Sequence, residues 1–390
     1  MYGLTFINAE IGGAEAQTLR VAGGRIAEVG GDPQTGDRVV DLNGDRLLPG
    51  LINAHEHLQL NNLPALGRDE PYGNVREWIF DVNARREADA AFEAGVAVTR
   101  EERLLLGGVK NLLSGVTTVA HHDPLYPCLR DPLYPTHVVT DFGWSHSLYI
   151  DGDESVCASY GNTPTEWPWI IHAAEGVDDE AQQEFERLEA LGCLGANTLM
   201  VHGVALSQAQ ALRLGQADAG LIWCPASNLR LFGRTADVGG LVAGGRVALG
   251  TDSRLSGSRD LFAELRVASS VGGFDEPTLE SLVTTAGARL LRLSDRGSLR
   301  AGARADLLIL PARKPLSRAT RADVRLVMVD GMARYGDTDY VRAVSPYVDW
   351  VRVQVDGRSK VLSRSIAAPL FAAQLKEPGV EFASVAWRAA

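Results

Sequence analysis

Short apolar runs alternate with longer helical stretches from about residue 51 to residue 298, and this alternation constrains the fold more than any other feature. The predicted strands are residues 51–54, 116–120, 137–142, 169–171, 198–201, 220–223 and 246–249. The clearest helices between them are residues 100–114, 179–191, 207–217 and 259–270. Such alternation predicts a parallel sheet, either open or closed into a TIM-like (β/α)₈ barrel, and periodicity alone does not choose between the two.

Both ends of the chain are rich in β-structure. Near the start, Ala22-Gly23-Gly24 joins two short strands into a hairpin, and Asp330-Gly331 does the same near the end. A chain of 390 residues fits one large domain with a smaller companion. We therefore predict a barrel domain over 51–298, flanked by a composite β-sandwich domain built from 1–50 and 299–390.

Composition excludes several classes of function. A net charge of −11 argues against a nucleic-acid surface, which needs clustered Lys and Arg. The four cysteines are scattered and form no C-x-x-C pair, as is usual for reduced thiols in the cytosol. The start of the chain does not resemble a signal peptide, and no apolar run approaches the ~20 residues that span a bilayer. The sequence predicts a cytoplasmic protein without a membrane or nucleic-acid partner.

Four of the apolar runs end in side chains that bind metals. One run leads into His55-Glu56-His57, others end at His172 and His202, and a fourth ends at Asp252. In a parallel barrel the carboxyl ends of all strands meet at one rim, where active sites are built. Packing alone does not explain four such endings in one chain.

The spacing of His55 and His57 has a geometric meaning, because residues i and i+2 of a strand point to the same face. With His172 and Asp252 they provide three nitrogens and one oxygen. That set suits one divalent metal, Zn²⁺ first, and also Fe²⁺, Mn²⁺ or Ni²⁺. A site of this kind with an open position for water is hydrolytic rather than structural.

Glu175 follows His172 by three residues, so its carboxylate can reach a water above the metal. It can take a proton from that water and pass it to a leaving group, and Asp252 can share the role of base. For His121, His122, His137 and His146, hydrogen-bonded packing is the simpler interpretation. His146, in Gly143-Trp144-Ser145-His146-Ser147, is a candidate for a pocket residue, and Trp78 and Asn228 are further candidates for substrate contacts.

Several motifs resemble those of the amidohydrolase superfamily, in its branch of cytosine, guanine, adenosyl-homocysteine and s-triazine aminohydrolases. In chain order they are LPGLINAHEH (48–57), GVTTV (115–119), IHAAEG (171–176), VHGV (201–204), CPASNL (224–229) and LGTDS (249–253). A returning β-domain with its own pattern follows at 297–307 and 329–331. The resemblance covers most of residues 20–335.

The resemblance implies roles for individual residues. His55, His57, His172 and Asp252 would bind the metal, Glu175 would shuttle the proton, and His202 would hold the water or the developing oxyanion. Members of this branch displace ammonia, an amine or a halide from an sp² carbon by water. A two-metal branch is bridged by a carboxylated lysine, but the only lysine in this barrel region, Lys110, lies in a helical run before Gly115. That position argues for one metal.

Two segments depart from the family pattern. Between Val119 and His172 the chain is short for three strand–helix units, so we expect one shortened unit in the barrel. Residues 58–99 form a long insertion with Trp78, which either caps the pocket or is a surface excursion.

The sequence therefore predicts a metal-dependent aminohydrolase of a small cyclic or heteroaromatic substrate. One alternative is hydrolysis of a cyclic amide or imidazolone ring. Another is a catalytically silent metal-binding barrel that senses a small molecule. A homodimer is a further expectation.

Overall fold

A computed structural model describes residues 3–382 of the chain. The first part consists of five strands, β1 (Leu4–Ile11), β2 (Ala14–Ala22), β3 (Arg25–Val29), β4 (Arg38–Asp41) and β5 (Arg46–Pro49). Strands β2 and β3 pair antiparallel across Gly23-Gly24, where both glycines have positive φ, as the predicted hairpin requires.

Eight strands follow, and each pairs parallel with its hydrogen-bonded neighbours. They are β6 (Leu51–Glu56), β7 (Val116–His121), β8 (His137–Val138), β9 (Gly143–Ser147), β10 (Trp169–Ala173), β11 (Thr198–His202), β12 (Gly220–Trp223) and β13 (Val247–Leu249). Strands β6, β7 and β8 form one sheet, and β9 to β13 form a second in sequence order. A parallel bridge between Glu56 and Asp252 joins β6 to the end of β13. This order is that of the predicted (β/α)₈ barrel.

Helices connect most of these strands. They are α1 (Val75–Ala88), α2 (Ala90–Ala97), α3 (Arg100–Leu113), α4 (Leu148–Asn162), α5 (Asp179–Ala190), α6 (Gln208–Gln216), α7 (Pro225–Phe232), α8 (Gly239–Ala243), α9 (Leu261–Gly272), α10 (Glu276–Leu282) and α11 (Thr285–Leu290). Side-chain caps begin the predicted helices, as in the reciprocal box between Thr99 and Glu102 at the start of α3. No helix among residues 3–382 combines the length and the apolar character that crossing a bilayer requires.

The last part of the described chain returns to β-structure. It contains β14 (Leu307–Leu310), β15 (Leu326–Val329), β16 (Met332–Gly336), α12 (Thr338–Val344), β17 (Trp350–Val355), β18 (Arg358–Ser363), α13 (Arg364–Ala372) and β19 (Val380–Phe382). Strand β14 pairs antiparallel with β5, so strands from both ends of the chain belong to one mixed sheet of 11 strands. The domain bounds of 1–50 and 299–390 stay a prediction.

Burial explains why the barrel strands read as continuous apolar runs. All residues of β6, β7, β11, β12 and β13 are buried, because helices cover one face and the barrel interior the other. Within β6, Asn53 has a buried partner in Asn111, whereas the hydroxyls of Thr117 and Thr118 in β7 have none among the described residues.

The region between β7 and β10 differs from the sequence prediction. The predicted strand 137–142 is only two residues long as β8, and a separate strand, β9, begins at Gly143. A short 3₁₀ helix, Pro127–Arg130, precedes β8, and residues 139–142, all described, link β8 to β9 without a helix. The shortened unit therefore lies at β8, because its loop is too short to form a helix.

Candidate metal and catalytic site

Three histidines direct one ring nitrogen each toward a common point at the carboxyl ends of β6 and β10. The Nε2 atom of His172 lies 3.3 Å from Nε2 of His57 and 3.3 Å from Nε2 of His55. Four ligands around Zn²⁺ at 2.0–2.1 Å would be about 3.3 Å apart in a tetrahedral arrangement. The three nitrogens therefore have the separation of metal ligands.

Hydrogen bonds on the far side of two rings fix which nitrogen carries the proton. His57 donates from Nδ1 to Asp123 Oδ2 at 2.6 Å, and His172 donates from Nδ1 to the carbonyl of His146 at 2.7 Å. Each ring therefore keeps its lone pair on Nε2, which is the usual arrangement of a metal-binding histidine. The Nδ1 of His55 is buried and has no such partner among the described residues.

Asp252 supplies an oxygen to the same point. Its Oδ1 atom lies 3.7 Å from Nε2 of both His55 and His57. Its other oxygen, Oδ2, accepts hydrogen bonds from the hydroxyls of Ser227 and Ser256. The two serines thus hold the carboxylate with Oδ1 free.

The donor set fits a divalent metal. Three lone pairs and a carboxylate oxygen that converge in a buried site repel one another unless a cation or protons lie between them. His55, His57 and His172 also group with His122, whose ligand atom lies within 4.8 Å of theirs. Asp252 is the better fourth ligand, because a carboxylate oxygen supplies negative charge to a dication.

Burial keeps most of these imidazoles neutral, as metal binding requires. Desolvation lowers the pKa of His55 to about 4 and that of His172 well below its usual value. His57 differs, because desolvation is outweighed by the hydrogen bond to Asp123 and the charges of Asp123, Asp252 and Glu56 together, which raise its pKa to about 9. A metal at this point must therefore displace a proton from His57.

Glu175 and His202 form the second half of the site. Glu175 Oε1 lies 3.5 Å from His202 Nε2, and both residues are almost fully buried. Burial raises the pKa of Glu175 well above its usual value, and the charges of Asp252 and Glu184 act in the same direction. A carboxyl group with a raised pKa is suited to both accepting and returning a proton near neutral pH.

Asn228 sets the tautomer of His202. Its Nδ2 donates to Thr235 Oγ1, so its Oδ1 faces His202 and accepts the Nδ1 proton at 2.8 Å. The Nε2 of His202 is therefore an acceptor. Asn228 is fully buried behind His202 and does not line the cavity. Its contact with substrate, which the sequence analysis expected, stays a prediction.

The site opens into a cavity of about 180 Å³ whose lining includes His57, His172, Glu175, His202 and Asp252. Trp78 and His146 also line this cavity. Helix α1 lies over it because its first turn is tied to the loop after β10, where Val75 N–H donates to the carbonyl of Glu175 at 3.0 Å. The long insertion therefore covers the pocket.

Lys110 does not reach the metal point. The side chain of Glu56 points away from those of His55 and His57, toward α3, as alternation along a strand requires. There it meets Lys110, whose Nζ lies 2.7 Å from Glu56 Oε2, and both side chains are fully buried. This ion pair joins α3 to β6 behind the site.

Three residues near the site were not predicted from sequence. His122 stacks on His172 with ring centroids 4.4 Å apart, Asp123 holds His57, and Gln59 lines the cavity. His122 and Asp123 follow the apolar run of β7 directly. The rule that found the other site residues, a polar side chain at the carboxyl end of a strand, applies to them as well.

Known proteins resemble this chain in both sequence and fold. The pattern of the amidohydrolase family matches residues 151–334. A 5-methylthioadenosine/S-adenosylhomocysteine deaminase of Haloarcula marismortui is 28% identical over 77% of this chain and 84% of its own length. A 5'-deoxyadenosine deaminase of Methanothermobacter thermautotrophicus is 25% identical over 83% of this chain and 90% of its own.

Solved structures show the same architecture. An adenosine deaminase from Xanthomonas campestris with bound zinc superposes with a TM-score of 0.69 at 21% identity, over 85% of this chain and 92% of that one. A zinc complex of atrazine chlorohydrolase from Arthrobacter aurescens gives a TM-score of 0.69 at 18% identity, over 85% of this chain and 94% of that one. The predicted barrel with a second domain is confirmed.

Fold and site together define a barrel hydrolase that uses a divalent metal. The chain resembles the amidohydrolase family, as its motifs indicated, and is a hydrolase of carbon–nitrogen bonds other than peptide bonds.

Proposed function

We propose that this protein is a zinc-dependent aminohydrolase that releases ammonia from a small heteroaromatic amine. The observation that carries the proposal is the buried pair of Glu175 and His202, which shares one cavity with His57 and His172. Names of relatives that deaminate adenosine derivatives support the same chemistry. One zinc per chain, held by the three histidines and Asp252, is part of the proposal.

The metal, when bound, supplies the Lewis acidity that makes water nucleophilic at neutral pH. His202 orients that water, because its Nε2 lone pair can accept one O–H. The water oxygen bonds to the ring carbon that carries the amino group. Since its Nδ1 proton is committed to Asn228, His202 acts toward this oxygen as a hydrogen-bond acceptor.

Glu175 moves the proton. It accepts one proton from the attacking water and delivers it to the amino nitrogen, so that the carbon–nitrogen bond breaks and ammonia leaves. The aromatic C–NH₂ group becomes a carbonyl or hydroxyl. The raised pKa of Glu175 suits this double role, because burial and nearby carboxylates make it hold a proton more firmly than an exposed glutamate does.

Ammonia release from a panel of amino-purines, amino-pyrimidines and amino-triazines tests the proposal, with Glu175→Gln as the variant. We expect the zinc-loaded protein to release ammonia from at least one compound. Glu175→Gln should lower kcat at least ~100-fold with unchanged zinc content, because the amide cannot relay the proton. Glu154→Gln, an exposed glutamate on α4, is the matched control and should keep full activity.

Two results would contradict the proposal. Full turnover by Glu175→Gln would exclude Glu175 as the group that relays the proton. A product heavier than its substrate by one water, formed without ammonia, would show ring hydrolysis instead. Mass spectrometry of the same reactions distinguishes the two chemistries.

A further inference from the structure

Gln59 is a buried polar residue at the site with no role in the proton chemistry. It lies in the 3₁₀ turn Leu58–Leu60, two residues after His57. Its side chain is 7% exposed and lines the same cavity as Glu175 and His202. Few buried amides face a catalytic cavity without a function in binding.

Hydrogen bonding fixes the orientation of this amide. Gln59 Nε2 donates to Asp123 Oδ2 at 2.7 Å, and the same oxygen accepts from His57 Nδ1. Asp123 Oδ2 is an acceptor here, because it already takes the Nδ1 proton of His57. The NH₂ end of Gln59 must therefore face Asp123, and a flipped amide would place two acceptors together.

The other end of the amide is left for a ligand. Gln59 Oε1 is buried and has no hydrogen-bond donor among the described residues. A buried carbonyl oxygen needs a donor, and a carbonyl cannot supply its own. An N–H or O–H group of the molecule that fills the cavity beside Gln59 would supply this donor.

The rest of the cavity suits a flat, uncharged ring. Leu60, Val75, Ile79 and Ile150 give the cavity an apolar lining beside its polar residues, and Trp78 adds an aromatic ring. Trp78 Nε1 is buried without an acceptor among the described residues, so it can donate to a ring nitrogen or carbonyl. Among the lining side chains that the structure describes, none is Lys or Arg.

We propose that Gln59 is a specificity-determining residue whose Oε1 accepts a hydrogen bond from a ring N–H of the substrate. This inference rests on the proposed deamination. It narrows the substrate class to amino-heterocycles that carry a ring N–H besides the amino group that leaves. A ring donor fits better than a sugar hydroxyl, because Gln59 shares Asp123 with the histidine His57 and so lies close to the reacting centre.

Matched pairs of free bases test this specificity. Cytosine with 1-methylcytosine, adenine with 9-methyladenine, and guanine with 1-methylguanine each keep the leaving amino group and differ in one ring N–H. The zinc-loaded wild type should favour the N–H member of at least one pair by about 10–100-fold in kcat/KM, since a buried acceptor would otherwise lose its partner. In Gln59→Met the same pair should differ by less than about 3-fold, mainly through slower turnover of the N–H member.

Other outcomes would overturn the proposal. An unchanged ratio in Gln59→Met would mean that the methyl group is excluded by shape alone. An equal loss of kcat/KM for every substrate, together with loss of zinc, would mean that Gln59 only supports Asp123. The Asp123→Asn variant shows what that pattern looks like. Turnover of adenosine but not of free bases, weakened in 2'-deoxyadenosine or 3'-deoxyadenosine, would assign the donor to a sugar.

Failure of the proposed deamination can be distinguished from failure of the proposed role of Gln59. If the zinc-loaded protein releases no ammonia from any compound, calorimetric binding of each pair still tests Gln59. A binding preference for the N–H member that disappears in Gln59→Met would support Gln59 while the deaminase proposal fails. If neither ammonia release nor a binding preference for the N–H member is found, the deaminase proposal and the role of Gln59 both fail.

Discussion

Ring protons decide what each histidine of the site can do. The partners that fix them, Asp123 for His57, the carbonyl of His146 for His172 and Asn228 for His202, are 66, 26 and 26 residues away in the chain. The positions of these three histidines were predictable from strand endings. Their tautomers were not, because a tautomer depends on the atom that faces the far side of the ring.

Asp123 gives a prediction at this scale. Asp123→Asn keeps an oxygen for the His57 Nδ1 proton but removes the charge that makes the imidazole a better donor to metal. We expect the zinc affinity to fall about 10–100-fold, as for other second partners of metal-binding histidines. Competition with a chelator of known affinity measures the change.

Asp141→Asn is the matched control, because Asp141 is exposed and lies outside the cavity. It should leave zinc affinity unchanged. An Asp123→Asn protein that binds zinc as tightly as the wild type would show that the hydrogen bond contributes nothing to the site.

A single helix can position several of the residues that hold the site together. The first turn of α7 bears both Ser227, which holds Asp252, and Asn228, which holds His202. Glu264 of α9 accepts a hydrogen bond from Ala226 N–H at 2.8 Å and so caps α7. The packing of α9 on α7 therefore affects two site residues at once, and the sequence of either helix alone does not reveal it.

Glu264 makes stability depend on pH. Burial raises its pKa from 4.5 to about 7 in the folded protein. Because the folded state holds this proton more tightly, its stabilising contribution is present below pH 4.5 and is lost as the pH rises to about 7. Glu264→Gln does not titrate and can still accept from Ala226. We therefore expect the free energy of unfolding of the variant, relative to that of the wild type, to rise by roughly 1–3 kcal/mol between pH 5 and pH 8.

Urea unfolding of the zinc-loaded proteins at both pH values measures this gain. Glu184, whose pKa burial also raises to about 7, titrates in wild type and variant alike, so its effect cancels in the difference. Glu154→Gln serves as an exposed control. A constant difference between Glu264→Gln and wild type across the range would show that Glu264 is ionised in the folded state.

At the scale of the whole molecule, the proposed ligands join parts of the barrel that are distant in sequence. His55 and His57 lie at the end of β6, His172 lies in β10, and Asp252 follows β13. Asp252 adopts a left-handed backbone with φ of +56°, and His202 one of +75°. Such conformations cost about 1–3 kcal/mol in a residue with a side chain and persist only where the surrounding structure imposes them.

Metal removal should therefore lower global stability. A ligand that binds only the folded state stabilises it by about 2.7 kcal/mol at a concentration 100 times its Kd. We expect the Tm to be lower in chelator than in excess zinc, and thermal unfolding followed by circular dichroism measures both. In His172→Ala this difference should disappear. A difference of the same size in His172→Ala would locate the stabilising zinc elsewhere.

Sequence and structure agree where the signal is local. Strands β10, β11 and β12 begin within one residue of their predicted starts, because their apolar runs are bounded by polar or turn residues. Prediction was wrong at 137–142, since two short strands without an intervening helix leave no periodic signal. Gln59 lies in a turn, and nothing in its neighbours distinguishes a cavity-lining amide from an exposed one.

The amino-acid sequence by itself determined the class of fold and the histidines and carboxylates at the strand ends, because parallel strands bring their carboxyl ends together whatever else surrounds them. Only the tertiary structure decided which nitrogen of each histidine is free, that Asn228 lies behind His202, and that Lys110 meets Glu56. Those relations depend on contacts between residues 26–66 positions apart, whose distances the order of residues along the chain does not specify.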